Sequence, residues 1–160
     1  MKPSLVSSVV AVFVVVAAAS AVGCHPSVRL QAPDDFAELG AGKGTRYDFR
    51  AASAQGVVLA VRTESNDPRA NVDFWADAID VRMRRDGYAA EAKKDVVSAS
   101  GLQGKQLRYS REEERRVYRY WLTVFATGEH VYIVEAGGDK ESFDPAEKTV
   151  ERAVLSLRPR

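Results

Sequence analysis

An almost wholly apolar run from Leu5 to Val22 ends just before the only cysteine of the chain, Cys24. One positive residue, Lys2, precedes the run, and small residues close it. A charge, an apolar stretch and a small-residue cleavage site are the parts of a secretory signal. We therefore predict that residues 1–23 are removed and that the fold is built from Cys24 onward. A single cysteine also excludes an internal disulfide, so this fold depends on a hydrophobic core.

The residues at the cleavage site are Ala21-Val22-Gly23-Cys24. This tetrapeptide resembles the lipobox of bacterial lipoproteins. The resemblance implies cleavage between Gly23 and Cys24, a diacylglyceryl group on the Cys24 thiol and acylation, as with palmitate, of the new amine. Several acyl chains hold a protein at a bilayer where a single chain does not. An uncleaved transmembrane anchor and an ordinary secretory signal with an idle cysteine are the alternatives.

Residues 24–35 contain Pro26 and Pro33 and no sustained periodicity, which predicts a tether. Fully extended, such a segment reaches about 35 Å, so the domain is expected to stand off the membrane. His25 follows the cysteine in place of the aspartate associated with inner-membrane retention in enteric bacteria. We therefore expect the anchor in the outer membrane rather than the inner one, with the domain in the periplasm.

The charge balance narrows the classes of partner. The chain has 23 Lys and Arg and 22 Asp and Glu, and Lys2 is the only charged residue before Cys24. The remainder is therefore neutral overall, which argues against a nucleic-acid partner, since phosphate binding needs a basic excess. Overall neutrality also gives no general attraction to anionic membrane surfaces.

Residues 36–160 are predicted to form a single α+β domain with the order β-β-α-β-β-β-β-α. The predicted strands are Arg46–Ala51, Val57–Val61, Tyr88–Ser100, Lys105–Tyr109, Val117–Ala126 and His130–Ala136. One helix is expected to follow Asn71 as its N-cap and to stop at Gly87, and a second to start at Asp144-Pro145. Strands joined by hairpins, with few helices, predict an antiparallel sheet with helices packed on it.

Further residues add a family resemblance to this layout. They are Tyr47–Ala51, Gly56–Arg62, Phe74–Ala76, Gly87-Tyr88, Gly101–Lys105, Tyr120–Gly128, Phe143 and Ala153–Leu157. Their arrangement resembles PsbP-like domains, which include the DcrB-type envelope lipoproteins of bacteria. The resemblance implies an antiparallel sheet sandwiched by helices. It also implies a non-enzymatic role, because family members are mostly partner-binding or accessory proteins.

The Gly-rich segment Gly40–Thr45 looks like the end of the phosphate-binding loop of adenylate kinases. That site requires a strand before the loop and a helix after it, so that backbone N–H groups and the helix N-terminus can bind phosphate. Here Pro33-Asp34-Asp35 precedes the loop, and the pattern after it is that of a strand. We therefore interpret the segment as a flexible loop.

The remaining polar clusters do not predict chemistry either. Asp73, Asp77 and Asp80 share one helical face, but hard cations need six or more oxygen ligands from a shaped loop. Arg84 lies four residues after Asp80, so a solvated face is the simpler interpretation. His130 lacks a nucleophile in reach and is expected to be exposed where a strand begins. The sequence thus predicts no catalytic residue, no metal site, no cofactor and no enzyme activity.

Aromatic residues concentrate on the two strongest strands. Tyr118, Tyr120 and Tyr132 form the candidate binding patch, although core packing is the favoured interpretation of aromatics on neighbouring strands. The leading hypothesis is a lipid-anchored envelope protein that binds a protein partner. The alternatives are a carrier or sensor of a small apolar ligand and an unrecognised hydrolase. An exposed apolar patch, an enclosed apolar cavity and a cleft with convergent titratable groups would distinguish the three.

Overall fold

The structure, a computed structural model, describes residues 28–40 and 45–160. The strands in these ranges are β1 (Val28–Arg29), β2 (Phe36–Glu38), β3 (Phe49–Ser53), β4 (Val58–Ser65), β5 (Ala89–Val97), β6 (Gln103–Glu113), β7 (Arg116–Ala126), β8 (His130–Asp139) and β9 (Arg158–Pro159). The helices are α1 (Val72–Arg85) and α2 (Lys140–Leu155). Across the described ranges, no helix is long and apolar enough to cross a membrane.

Seven strands form one antiparallel sheet in the order β2-β3-β4-β8-β7-β6-β5. Helix α1 packs on one face of this sheet and α2 on the other. The predicted α+β class, with an antiparallel sheet between helices, is confirmed. The apolar strand β7 lies inside the sheet, and its residues 121–125 are buried on both faces, as its sequence pattern predicts.

Strand alternation divides the apolar side chains into two cores. The core under α2 includes Leu59, Val61, Trp121, Phe125, Tyr132, Val134, Phe143, Val150 and Val154. The core under α1 includes Ala76, Met83, Leu107, Tyr109, Leu122, Val124, Val131 and Ile133. Consecutive residues of β7 and β8 therefore contribute to opposite faces, which explains why neither strand alternates between apolar and polar residues.

Helix α1 begins and ends as the sequence predicts. The Asn71 Oδ1 atom accepts a hydrogen bond from the backbone N–H of Phe74 at 2.9 Å, which caps the first turn. The helix ends at Arg85, and Gly87 follows with a φ of 87°, a conformation that a side chain disfavours. The buried Asn66 side chain accepts from Trp75 Nε1 at 2.8 Å and thereby fixes the start of the helix against the sheet.

Helix α2 begins earlier than the predicted Asp144-Pro145 start. Its N-cap is Asp139, whose Oδ1 accepts from the Ser142 backbone N–H at 3.0 Å, and Pro145 lies inside the helix. The prediction was wrong because Asp139 offers the same capping chemistry directly after β8. The earlier start places Phe143 in the core, where its ring meets that of Trp121 edge-on at 5.0 Å.

The chain before β2 belongs to the folded domain, which differs from the tether predicted for residues 24–35. Val28 and Leu30 are buried, and β1 pairs with β9. The Gln31 backbone N–H also donates to Ser156 Oγ at 2.8 Å. The domain therefore begins by residue 28 rather than residue 36, because two alternating apolar side chains fill the core under α2. A two-residue strand has too short a pattern to be recognised from periodicity.

Candidate binding surface

Helix α1 leaves part of its side of the sheet uncovered. It packs on β5, β6, β7 and the start of β8, whereas the Val58 end of β4 and the end of β8 extend beyond it. Val58 in β4 is 48% exposed, and Leu39 beside it is 40% exposed. We call this area the open half-face and define it by Leu39, Tyr47, Val58, Ala60, Arg62, Tyr88, Tyr118, Tyr120, Glu135 and Gly137.

Two adjoining clefts cross the open half-face and share Val58, Tyr120 and Gly137 as their floor. One has a volume of about 270 Å³ and is walled by Tyr88 and Tyr118. The other has a volume of about 160 Å³ and is walled by Leu39, Tyr47 and Glu135. Both clefts open to solvent, so together they form a shallow aromatic groove.

A glycine and a tyrosine shape the floor of this groove. A Cβ atom on Gly137 would lie 3.0 Å from Tyr120 Cδ2 and 3.3 Å from the Arg119 carbonyl oxygen. The missing side chain therefore lets the Tyr120 ring lie close against β8. The Tyr88 ring follows at 5.6 Å from Tyr120, and the Arg111 guanidinium lies 5.2 Å from the Tyr88 centroid. This cation–aromatic stack gives the groove one firm wall.

A half-buried polar cluster lies next to the floor. The Tyr120 hydroxyl donates to Glu135 Oε2 at 2.6 Å, and Arg62 Nε donates to Glu135 Oε1 at 2.8 Å. Burial and the adjacent Glu135 carboxylate raise the pKa of Tyr120 well above its ordinary value, so the hydroxyl stays a donor. Burial lowers the pKa of Arg62, but its bonds to Glu135 and Glu64 outweigh this and raise it.

This cluster supports the floor of the groove. Each Glu135 oxygen accepts a hydrogen bond from within the cluster, from Arg62 or from Tyr120. The Arg62 charge is balanced by Glu135 and by Glu64, whose Oε1 lies 2.9 Å from the guanidinium. The arrangement fixes Tyr120 in place and keeps the groove wall rigid.

The helix aspartates that share a face form ion pairs with basic side chains, and Asp73 and Asp77 remain exposed to solvent, as predicted for a solvated face. Asp80 pairs with Arg84 at 2.8 Å and accepts from the Tyr109 hydroxyl at 2.9 Å. Burial opposes ionisation of Asp80, but these two partners lower its pKa overall. Asp73 pairs with Lys105 at 2.9 Å, and Asp77 pairs with Lys93. Among residues 28–40 and 45–160, no group of three or more His, Cys, Asp or Glu side chains could hold a metal ion.

The structure separates the three tyrosines predicted to form one patch. Tyr118 and Tyr120 lie side by side on the open half-face. Tyr132 is 4% exposed and packs into the core under α2, on the opposite face of the sheet. The reason is register, since Tyr132 pairs with Phe125, which also faces α2. The patch therefore keeps two of its three predicted members. Gly23 and Cys24 lie outside the described residues.

Sequence reasoning missed the other members of the groove. These members are far apart in sequence and come together only through strand pairing; they are Tyr47, Arg62, Tyr88 and Glu135. Ala60 and Glu135 are direct cross-strand partners, a pairing that depends on the order of the strands in the sheet. The position of Tyr88 directly after the predicted helix stop is the one local signal that could have placed it beside β7. His130 is exposed at the start of β8, as predicted.

With the sheet and both helices in place, the architecture is that of a PsbP-like α+β domain. It is similar to the crystal structure of LpqN, which is involved in cell envelope biogenesis of Mycobacterium tuberculosis. The TM-score is 0.65, with 10% identity over 81% of each chain. The solution structure of the cyanobacterial PsbP protein CyanoP, from Synechocystis sp. PCC 6803, matches with a TM-score of 0.52 and 11% identity, over 90% of this chain and 98% of CyanoP.

PA94 from Pseudomonas aeruginosa has the same fold, with a TM-score of 0.56 and 14% identity over 84% of each chain. At such identities the likeness concerns the fold. No protein-family model matches the sequence, and no curated protein matches it either.

Proposed function

We propose that this protein is a lipid-anchored, non-enzymatic component of the cell envelope whose PsbP-like domain binds a protein partner through the open half-face. The observation that carries the proposal is the exposed aromatic groove formed by Val58, Tyr88, Tyr118 and Tyr120. Tyrosine is enriched at protein interfaces, where its ring packs and its hydroxyl stays hydrogen-bonded. The fold of LpqN, a protein involved in cell envelope biogenesis, agrees with an envelope role.

The shape of the groove favours a protein partner over a carried ligand. A carrier of a small apolar molecule needs a site that encloses most of its ligand. The two clefts of the open half-face are shallow and open, and they continue into each other across Val58. A long, open surface with exposed apolar side chains matches a chain or a domain laid across it.

The anchor is part of the same proposal. Lipid on Cys24 would hold the domain at a membrane, and we expect the outer membrane rather than the inner one. The open half-face would then be accessible to partners in the periplasm. Mass spectrometry of the mature protein tests this part directly. The expected mass is that of a chain starting at Cys24 with acyl groups attached, and a free thiol or an intact residue 1–23 segment would contradict it.

The partner surface can be tested by photocrosslinking in intact cells. A photoreactive amino acid at position 58, in the groove, should crosslink to one defined protein. The matched control is position 81, where Val81 is 59% exposed on the outer side of α1. The product should disappear when Tyr118→Ala is combined with the position 58 probe. A small-molecule adduct at position 58 would favour the carrier, and equal products at both positions would reject the proposed surface.

A further inference from the structure

Strand β1 lies only a few residues after Cys24, the predicted site of lipid attachment. Only three residues, His25-Pro26-Ser27, separate Cys24 from the buried Val28. A chain of that length spans at most about 14 Å when fully extended. The domain therefore lies against the surface to which Cys24 is anchored, rather than at the end of a long tether.

The end of the domain nearest to Cys24 carries unbalanced positive charge. Arg29 and Arg158 are direct cross-strand partners and both are exposed, so two guanidinium groups leave the same face of the β1–β9 pair. Like charges at this spacing repel each other unless an anion lies between them. Arg160 adds a third positive group just beyond β9. Within the described part of the chain, none of the three forms an ion pair.

The nearest acidic residues along the chain are Asp34 and Asp35, which follow β1. They are exposed and line a cleft with Arg152 of α2, and among the described residues they form no ion pair with the three arginines. The chain from Cys24 onward is neutral overall, yet this end is basic because, among the described residues, its arginines have no acidic partners.

We propose that the β1–β9 end of the domain rests on an anionic membrane surface, with Arg29, Arg158 and Arg160 contacting lipid phosphates. This inference rests on the proposed lipidation of Cys24. Two observations support the bilayer as the occupant: the chain leads from this end to the anchor within about 14 Å, and the charges match anionic headgroups. The domain then has a fixed orientation, with the hairpin between β6 and β7 pointing away from the membrane.

The length of the sheet sets the distance between the membrane-facing end of the domain and its far end. The turn before β6 is bonded to the β1–β9 end, since the Ser100 hydroxyl donates to the Leu157 carbonyl at 3.3 Å. Strand β6 has 11 residues, so its far end lies about 35 Å away. Exposed positions 31 and 112 therefore mark the near and far ends of the domain.

The test uses the full lipidated protein on vesicles of phosphatidylcholine with or without phosphatidylglycerol. Because Cys24 is blocked by lipid, a fluorophore can be placed on Gln31→Cys or on Glu112→Cys, and a quencher on the lipid headgroups reports proximity. We expect strong quenching at position 31 and little at position 112. Arg29→Gln with Arg158→Gln should weaken the docked orientation by about fivefold per arginine on anionic vesicles. Arg115→Gln with Arg116→Gln is the control, since it removes the same charge at the far end.

The outcomes separate the two proposals. If mass spectrometry finds no lipid on Cys24 and vesicles do not retain the protein, the proposed anchor fails, and this inference fails with it. If the protein is lipidated but positions 31 and 112 are quenched equally, only the orientation is overturned. If the two double variants behave alike while retaining their melting temperatures, Arg29 and Arg158 are not the membrane contact and the proposed docking end is overturned.

Discussion

The two faces of the sheet are covered to different extents. On the face under α2, Phe143 and Val150 are fully buried, and Arg108 lies 3.7 Å from the centre of the Trp121 ring. The Arg108 guanidinium also pairs with Glu147 of α2 at 2.6 Å, so this ion pair covers the edge of the core. On the opposite face, α1 stops short of β4 and leaves Val58 half exposed. One face is thus closed by a core under α2, whereas the other combines a core under α1 with an uncovered groove around Val58.

Phe143→Ala should have the largest effect on stability, because it removes a ring from the centre of the core under α2. We call this side of the sheet the closed face. Loss of a fully buried aromatic ring costs about 3–5 kcal/mol in the free energy of unfolding. Urea denaturation measures this change. Phe74→Ala is the matched control, since Phe74 is 52% exposed on α1 and its removal should cost within about 0.5 kcal/mol. Equal losses would mean that the closed face is not the main source of stability.

Gly104→Ala and Gly137→Ala should also differ in their cost to the free energy of unfolding, with the larger cost on the closed face. A Cβ on Gly104, on the closed face, would lie 2.5 Å from the Phe125 ring and 2.8 Å from the Val124 carbonyl oxygen. Gly104→Ala should therefore cost about 1–3 kcal/mol in the free energy of unfolding. A Cβ on Gly137 would lie 3.0 Å from Tyr120 Cδ2 and 3.3 Å from the Arg119 carbonyl oxygen, which are milder contacts, so the stability cost of Gly137→Ala should be smaller. A larger cost for Gly137→Ala would contradict the openness of the groove.

Tyr120→Phe tests the polar cluster of the open half-face. It removes the donor to Glu135 and should cost about 1–2 kcal/mol near neutral pH. Burial and Glu135 hold the pKa of folded Tyr120 above the ordinary value of about 10, so its contribution is complete below that pH and is lost as pH rises further. The gap between wild type and variant, measured by urea unfolding from pH 8 to 11, should narrow above about pH 10. A constant gap would contradict the assignment.

Tyr118→Ala should have the smallest effect on stability and a clear effect on binding. The side chain is partly exposed at the rim of the groove, so the free energy of unfolding should change by at most about 1 kcal/mol. Loss of one interface tyrosine commonly weakens association by tenfold or more. Crosslink yield from position 58 measures the second effect, and an unchanged yield would exclude Tyr118 from the interface.

The sequence predicted the fold class, helix α1 and the central strands, because each carries a strong local signal. Asn71 and Gly87 bound an amphipathic pattern, and β7 is apolar over most of its length. The two-residue strands β1 and β9 carry no such pattern. They form because Val28 fills a gap in the core that only the folded chain creates. The predicted tether therefore included residues that belong to the domain.

The candidate site was harder to predict than the fold. The side of the sheet on which Tyr118 and Tyr132 lie depends on the register across the turn between β7 and β8, and their spacing alone does not reveal it. The partners of Tyr120 come from β8 and from the turn after α1. These contacts can be predicted only when the order of the strands in the sheet is known, and that order is a property of the whole fold.

The most direct test of the central claim is the accessibility of a thiol on the open half-face. Val58→Cys and Val81→Cys place single reactive thiols at similarly exposed sites, since the only other cysteine is Cys24. The rate of labelling with a membrane-permeable maleimide is compared between intact cells and purified protein. If a partner covers the groove, position 58 should be labelled at least several-fold more slowly in cells, and position 81 should not change. Equal rates at position 58 in cells and in purified protein would contradict the account.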